Sequence, residues 1–566
     1  MGIARVLAAG VVVCVSACGG RIVRALECER YLCALTALLT VMMLAACGGG
    51  SFSNVPTVIT VTPANPTLAK GLTQAFTATA LWTDLSRSDM TTVVTWMSTN
   101  TSVATVSADG VATASGIGTT TITATFVNIV GSTSLTVTAP TVVSVAVTPA
   151  NPALELGANQ PFTATGTLTD GSHQDLTQSA SWSSSDVSVV GVNTTAGRTG
   201  VANTRGPGSA DVKATVGSVS GQTTVTVTRR VTKFLYAANL GASTISAFQV
   251  NPMTGALSAI GTPYATTSGS TSIAVTRDFR FLYSADFGIG NVSGFVIQPD
   301  GTLIHAAGTP VVVGNGPLSL VAHPTADFLY VAQQGSGVAI YAIDPASGAL
   351  TAAGAVSAPT APEFGAIGPD GRYYYQTLSS VDQIAPFAVN VGTGALTALS
   401  AGPAATETFP RAIAIDPAGK FLYVAISDSG TGTSTTVDGF LIDPSSGALA
   451  KMPTSPFQVV TTPDSIAIDP SGRFLYVSCS NSAVIGAFTI DPDTGTLSAI
   501  QGSPFAAPGS PLFVLADPSG LFLYAGTDST TAGVLGYTID QTTGALTPSA
   551  VGSAPGNIVW SLAATH

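Results

Sequence analysis

Residues 463–476, PDSIAIDPSGRFLY, decide the fold. Read alone, they are an apolar alternation, SIAI, a DPSG reversal and a second apolar run, which is the pattern of two strands joined by a tight turn. Variants of the string return along the C-terminal part of the chain. FLY or a close relative occurs seven times, with its tyrosine at Tyr236, Tyr283, Tyr330, Tyr375, Tyr423, Tyr476 and Tyr524, at spacings of 47, 47, 45, 48, 53 and 48. A second marker, TGAL, SGAL, TGTL or GTL, keeps step and places Leu257, Leu303, Leu350, Leu396, Leu449, Leu497 and Leu546 after each tyrosine in turn. The PxxIAIDPxG element precedes all copies but the first. A period near 45 residues with room for four strands means propeller blades, and the count is seven.

The phase of the repeat predicts how the ring closes. The first unit begins at Lys233-Phe234-Leu235-Tyr236 without an innermost strand, whereas the last stretch, APGNIVWSLAATH, reads as an innermost strand with no FLY after it. Pairing residues 557–563 with the strand at 234–239 would complete one blade and remove the open sheet edges.

Upstream, residues 55–228 hold one unit twice. Thr62-Pro63 recurs as Thr148-Pro149, QAFTAT at 74–79 as QPFTAT at 160–165, and Trp96 as Trp182, each pair 86 apart; beyond the tryptophans the offset is 90, so one loop has gained four residues. Strings such as VITVT, FTATA and LTVT alternate with period two, and about seven of them in some 90 residues suit a sandwich. The run from VTPANP through TSVATVSADGVATASGIGTTTITAT to LTVT resembles the group 2 bacterial immunoglobulin-like domain. The second copy departs from it where SVATVSADG becomes VSVVGVNTTAGRTG. Trp96 and Trp182 read as core aromatics packed between sheets, and the resemblance implies spacer or adhesive modules. The predicted fold class is therefore all-β, two immunoglobulin-like sandwiches followed by a seven-bladed propeller closed by the C-terminal strand. The expected segments are 1–46 signal, 47–54 spacer, 55–139 and 140–229 sandwiches, and 233–566 propeller.

The 566 residues carry 19 basic and 30 acidic side chains, a net charge of −11, with 9% charged residues and 60 glycines and 34 prolines. That composition suits short strands and tight turns, excludes coiled coils, and gives no basic stripe for nucleic acid. Five of the six cysteines fall in the first 47 residues, which leaves Cys479 alone and no disulfide framework. Residues 31–46, YLCALTALLTVMMLAA, follow Arg21, Arg24 and Arg30 and are shorter than a bilayer span of roughly 20 residues. They read as a signal segment. LAAC at 44–47 resembles the bacterial lipobox and points to acylated Cys47 as the mature N-terminus. VSAC ending at Cys18 is a second such string, but cleavage there would strand the apolar run, so Cys47 is favoured and the start codon is expected downstream of Met1. The expected location is the cell envelope, by a lipid anchor, at the outer membrane or cell surface.

The propeller strings resemble the seven-bladed family of lactonase type, whose activities include hydrolysis of 6-phosphogluconolactone and a related cycloisomerase. In that family the resemblance implies a histidine after the proline that opens an innermost strand, and a glutamate near the end of the FLY strand. Here the first position holds Thr271, Leu318, Glu363, Arg411, Asp464, Leu512 and Gly556, and the FLY strands end at Asn239, Asp286, Gln333, Leu378, Ile426, Cys479 and Thr527. His323 stands where Asp416, Asp469 and Asp517 stand in other repeats, and reads as a turn cap before a catalytic base. The DP-G turns offer too few oxygens for calcium, Cys479 has no base partner, and no cofactor or metal is implied.

One constellation remains as the candidate site. Glu363, Arg411 and Asp464 share a position in three successive blades and are expected side by side at one mouth of the channel. They read either as an inter-blade ion pair or as a ligand site. A lone arginine between two carboxylates suits a neutral, polyhydroxyl or cationic ligand better than a phosphate. Two functions follow: a stalked propeller that binds a small polar or sugar-derived ligand or a cell-surface partner, ranked first, and a lactonase-type hydrolase of an extracytoplasmic lactone.

Overall fold

Sequences that alternate with period two become strands, and among the described residues every regular element is a strand. The structure, a computed structural model, describes residues 54–566 apart from 196, 315, 358–361, 428–433, 530–532 and 550–557. Cys18, Cys47, the segment 1–46, all of the 47–54 spacer but Asn54, and Gly556 lie outside the described residues. The chain divides into two compact units, one ending at Pro140 and one running Thr141–His566.

In the first unit, Pro56–Thr62, Thr77–Trp82 and Arg87–Asp89 form one sheet, and Thr67–Ala69, Ile129–Thr138, Gly118–Phe126 and Thr95–Ser98 form another. Every second residue of the long strands points inward, where Ile59, Val61, Ile122, Ala124, Leu135 and Val137 pack around Trp96. The Trp96 indole donates to the Thr91 carbonyl at 2.8 Å, so its one polar atom is satisfied inside the core. The second sandwich repeats this sheet order, and the Trp182 indole donates to the Thr177 carbonyl at 3.0 Å. The four extra residues fall between the strands Val190–Val192 and Val201–Thr204, where the first copy has the shorter link from Ala104–Val106 to Val111–Ala114. The altered loop leaves the fold intact.

Among the described residues the propeller consists of seven antiparallel blades, each built on a path of four strands, with a short fifth strand beside the third in five of them; they are numbered here by their FLY strands. Blade 6 runs from the innermost strand Pro463–Ile468 through Phe474–Cys479 and Val484–Ile490 to the outer Leu497–Ala499. Blade 1 takes its innermost strand from the far end of the chain, Val559–Thr565, which pairs antiparallel with Phe234–Asn239. The pairing runs from Val559 to Thr565, two residues later than the expected 557–563. Proline opens the innermost strand in several other blades, but in this blade Val559 fills that place, opposite Asn239.

What holds neighbouring blades together is repeated at every junction. The FLY tyrosine is buried and its hydroxyl donates to the glycine carbonyl of the TGAL-type turn in the next blade. The pairs are Tyr236 to Gly301 (3.0 Å), Tyr283 to Gly348 (2.7 Å), Tyr330 to Gly394 (3.0 Å), Tyr375 to Gly447 (2.9 Å), Tyr423 to Gly495 (2.6 Å) and Tyr476 to Gly544 (2.9 Å). Tyr524 closes the ring by donating to Gly255 of blade 1 at 2.9 Å. The first residue of the FLY strand lies against the same glycine, so a Cβ on Gly544 would overlap the Phe474 ring. These seven glycines also hold φ between 70° and 82°, the left-handed region that glycine alone enters freely. Four basic residues just before FLY reach over the aromatic ring to the same turn: Arg280 to the Pro345 carbonyl, Arg372 to that of Pro444, Lys420 to that of Pro492 and Arg473 to that of Gln541.

Tyr476→Phe removes one such hydroxyl and leaves a glycine carbonyl unpaired, for an expected loss of about 1–3 kcal/mol in denaturant unfolding. Gly544→Ala adds both the positive-φ penalty and the overlap with Phe474, and is expected to cost more than the tyrosine change in the same measurement.

Candidate functional site

Strand register fixes which side chains meet at the mouth of the channel. In each blade the second residue of the innermost strand falls at an irregularity in pairing: Ser270/Ser272 in blade 2, Pro463/Ser465 in blade 6, Val559/Ser561 in blade 1. The residues so placed are Thr271, Leu318, Glu363, Arg411, Asp464, Leu512 and Trp560. Trp560, not Gly556, therefore holds the seventh position, because the pairing of Val559 with Asn239 sets the count. The serines one place further on tie the inner ring together. Ser272 accepts from the Leu320 amide (3.1 Å), Ser465 from that of Val514 (3.3 Å) and Ser561 from that of Ile273 (3.2 Å).

The rim brings two of the three expected residues into direct contact and adds one that was not expected. The Arg411 guanidinium forms an ion pair with Asp464, whose side chain is only 5% exposed. Its other side lies over the Trp560 ring, 5.6 Å from the centroid, although the two residues sit on blades 5 and 1. Arg411 thus reaches across the mouth. Glu363 accepts from the Ser379 hydroxyl at 2.9 Å and feels Arg411 as a nearby charge. Burial raises the pKa of both carboxyls, and for each the Arg411 charge acts in the opposite direction. Ser480 adds its amide to Asp464 at 3.2 Å. An aromatic face, one guanidinium and two carboxyls can together hold a polyhydroxyl molecule by stacking and hydrogen bonds.

The remaining candidates go elsewhere. His323 is buried and spent on structure: its Nδ1 accepts from the amides of Thr325 (3.1 Å) and Ala326 (2.9 Å), while Nε2 donates to the Gly371 carbonyl of the next blade at 3.0 Å. Asp416 does the same work in blade 5, accepting from Ala418, Lys420 and Phe421 amides, and Asp469 from Ser471, Arg473 and Phe474. Cys479 is fully buried and its thiol is pushed up to about 12, which removes the thiolate that a nucleophile needs. His305 packs on Phe295, and His566 on Phe279. Among the described residues, no group of three or more His, Cys, Asp and Glu side chains is placed to hold a metal ion.

The opposite ends of the inner strands carry a second organised region. There the second sandwich docks on the propeller through Asn159, which donates to the Pro417 carbonyl at 2.6 Å, and Arg198, which donates to the carbonyls of Ala418 and, at 2.8 Å, Gly419. Arg229 reaches the Ser519 carbonyl (3.0 Å) and Gln541 (2.9 Å), and Thr232 donates to Asp517. The first sandwich has Thr73 and Ala139 where the second has Asn159 and Arg229, and lacks the inserted loop that bears Arg198. The differences between the two repeats were a signal for this docking that pattern reading passed over. The rim and the docked domain lie at opposite ends of the same strands, so docking leaves the rim uncovered by the second sandwich.

Comparison with known proteins agrees with this architecture. Residues 56–137 and 141–227 match the bacterial Ig-like domain, group 2, and residues 255–365, 365–462 and 439–506 match the family described as lactonase, 7-bladed beta-propeller. Crystal structures of candidate 6-phosphogluconolactonases are similar in fold: one from Bacteroides uniformis is 20% identical with a TM-score of 0.50, covering 59% of this chain and 100% of that one. One from Bacteroides fragilis is 21% identical with a TM-score of 0.52, covering 59% of this chain and 98% of that one. A stretch of 145 residues, 26% of the chain, is 45% identical to Ice-binding protein 1 of Shewanella frigidimarina and spans 16% of that protein.

The histidine cap makes a pH prediction. Burial holds His323 below the ordinary histidine value of 6.5, so the folded state keeps it neutral, with Nδ1 free to accept. Its contribution is fully present above that value and is lost as the pH falls below it. His323→Asn keeps an acceptor but cannot titrate. The melting temperature of the wild type is expected to fall relative to the variant between pH 7.5 and 5.5, which thermal denaturation across that range will measure.

Proposed function

We propose that this chain, which joins two group 2 bacterial immunoglobulin-like domains to a seven-bladed propeller of lactonase type, is a lipid-anchored envelope protein that presents the propeller rim to a small polyhydroxyl ligand. The observation that carries the reading is the state of Arg411. An oxyanion-stabilising donor must be aimed at the place where charge develops. Arg411 instead has a carboxylate partner in Asp464 and an aromatic face in Trp560 before any substrate arrives. Such a rim offers a stacking surface and paired donors and acceptors, which suits recognition of hydroxyl groups. The docked second domain, held at the other end of the strands, supports a stalk role.

The second reading is hydrolysis of an extracytoplasmic lactone, and Glu363 favours it. Burial raises its pKa, which is how a carboxyl is tuned for proton transfer, and Ser379 fixes its orientation. A panel of non-phosphorylated lactones and neutral sugars, tested with wild type and Arg411→Ala, separates the two. Binding without turnover, weakened about tenfold by the substitution, is expected. Turnover that disappears with Arg411→Ala would establish the hydrolase instead.

The anchor belongs to the same proposal, on the strength of LAAC at 44–47 behind the apolar run. Mass spectrometry of membrane-extracted protein is expected to find Cys47 acylated and residues 1–46 removed, and Cys47→Ser is expected to release the protein or stall its processing.

A further inference from the structure

The second immunoglobulin-like domain and the propeller border an open pocket of about 350 Å³ where they meet, lined by Ser188 and Arg205 on one side and by the turns of blades 5 and 6 on the other. In a chain with 19 basic residues and a net charge of −11, three cations border this one space: Arg205, Lys420 and Arg473. Two of them are occupied by the clamp between blades. Lys420 holds the Pro492 carbonyl at 2.7 Å and Arg473 the Gln541 carbonyl at 2.9 Å.

Arg205 is different. Its guanidinium lies beside Gly191 and, among the described residues, has neither a hydrogen-bond nor an ion-pair partner. Burial lowers its pKa from the ordinary arginine value, and the charges of Asp493 and Asp416 only oppose that shift from a distance. Asp416 is itself taken up by three amides of its own turn. The fold does not require a cation here, since Ser115 stands at the corresponding place of the first domain. Arg205 is half-buried on the pocket wall, so its N–H donors, unclaimed by a protein acceptor, are available to an acceptor from outside.

We propose that this pocket is a binding site for a carboxylate-bearing sugar, a hexuronate or a ligand of that class. The carboxylate would meet Arg205 through two parallel N–H bonds, the geometry for which a guanidinium is shaped. A single charge fits better than a phosphate dianion, because one free cation with two aspartates in its field cannot balance two negative charges. Ser188 and Thr542 on the wall offer oxygens to the sugar hydroxyls. The volume is near the small end of ligand sites, roughly 300–1,000 Å³, and suits one sugar ring. A ligand held there touches both domains, so it would also favour their docked arrangement.

Isothermal titration of the purified full chain with glucuronate, glucose and glucose 6-phosphate tests the site. Glucuronate is expected to bind at a site that Arg205→Gln weakens at least tenfold, while any glucose binding at the rim is left unchanged by that substitution. Asp493→Asn, an exposed change that leaves Arg205 in place, is expected to tighten binding about two- to threefold. No glucuronate binding at millimolar concentration, equal affinity in Arg205→Gln, or tighter binding of glucose 6-phosphate than of glucuronate would overturn the proposal.

Discussion

A buried tyrosine hydroxyl donating to a glycine carbonyl in the neighbouring blade is the contact on which the propeller depends. Blades are separate sheets, so no ladder of backbone hydrogen bonds joins one to the next. Side chains must do this, and the repeat does it with three residues of a four-residue stretch: a cation or its substitute over the ring, an aromatic against the glycine, and, two places on, the tyrosine on its carbonyl. Each hydroxyl is worth only about 1 kcal/mol net, but the aromatic burial that accompanies it is several times larger. Because Tyr524 of the last blade grips Gly255 of the first, the ring is fastened at seven junctions, with the blade built from both chain segments closed by its own sheet.

With the ring fixed, its two ends are free to differ. One end of the inner strands gathers the turns capped by Asp416, Asp469 and Asp517, which present backbone carbonyls outward. The second immunoglobulin-like domain uses them, through Asn159, Arg198 and Arg229. The other end carries a position of the repeat that varies widely in chemistry: threonine, leucine, glutamate, arginine, aspartate, leucine and tryptophan. The scaffold needs no particular side chain there, which is why a ligand site can be placed at that end without weakening the junctions.

The rim also shows how proximity changes the meaning of a residue. Arg411 as an isolated cation would be an obvious electrostatic catalyst. Paired with Asp464 and laid on Trp560 it becomes part of a neutralised surface, and the two carboxyls beside it remain under the opposing pulls of burial and its charge. Lys420 and Arg473 are a parallel case, cations whose first duty is to the adjacent blade, whereas Arg205 has no such duty.

The seven FLY and TGAL strings, the doubled sandwich unit and the unpaired first and last strands are local patterns, and the sequence by itself determined the strand content, the repeat count and the closure of the ring from them. Period-two alternation and turn residues act within a few neighbours, so they can be read without coordinates. The spacing also placed Glu363, Arg411 and Asp464 in equivalent blade positions. It could not place Trp560, because a strand that begins at Val559 without a proline is set in register only by its partner 320 residues away, Asn239. Nor could it show that the two markers of the repeat touch, that four extra residues carry an arginine to the propeller, or that Arg205 faces a pocket without a partner. Those are contacts between segments far apart in the chain, decided by packing, and only the tertiary structure holds them.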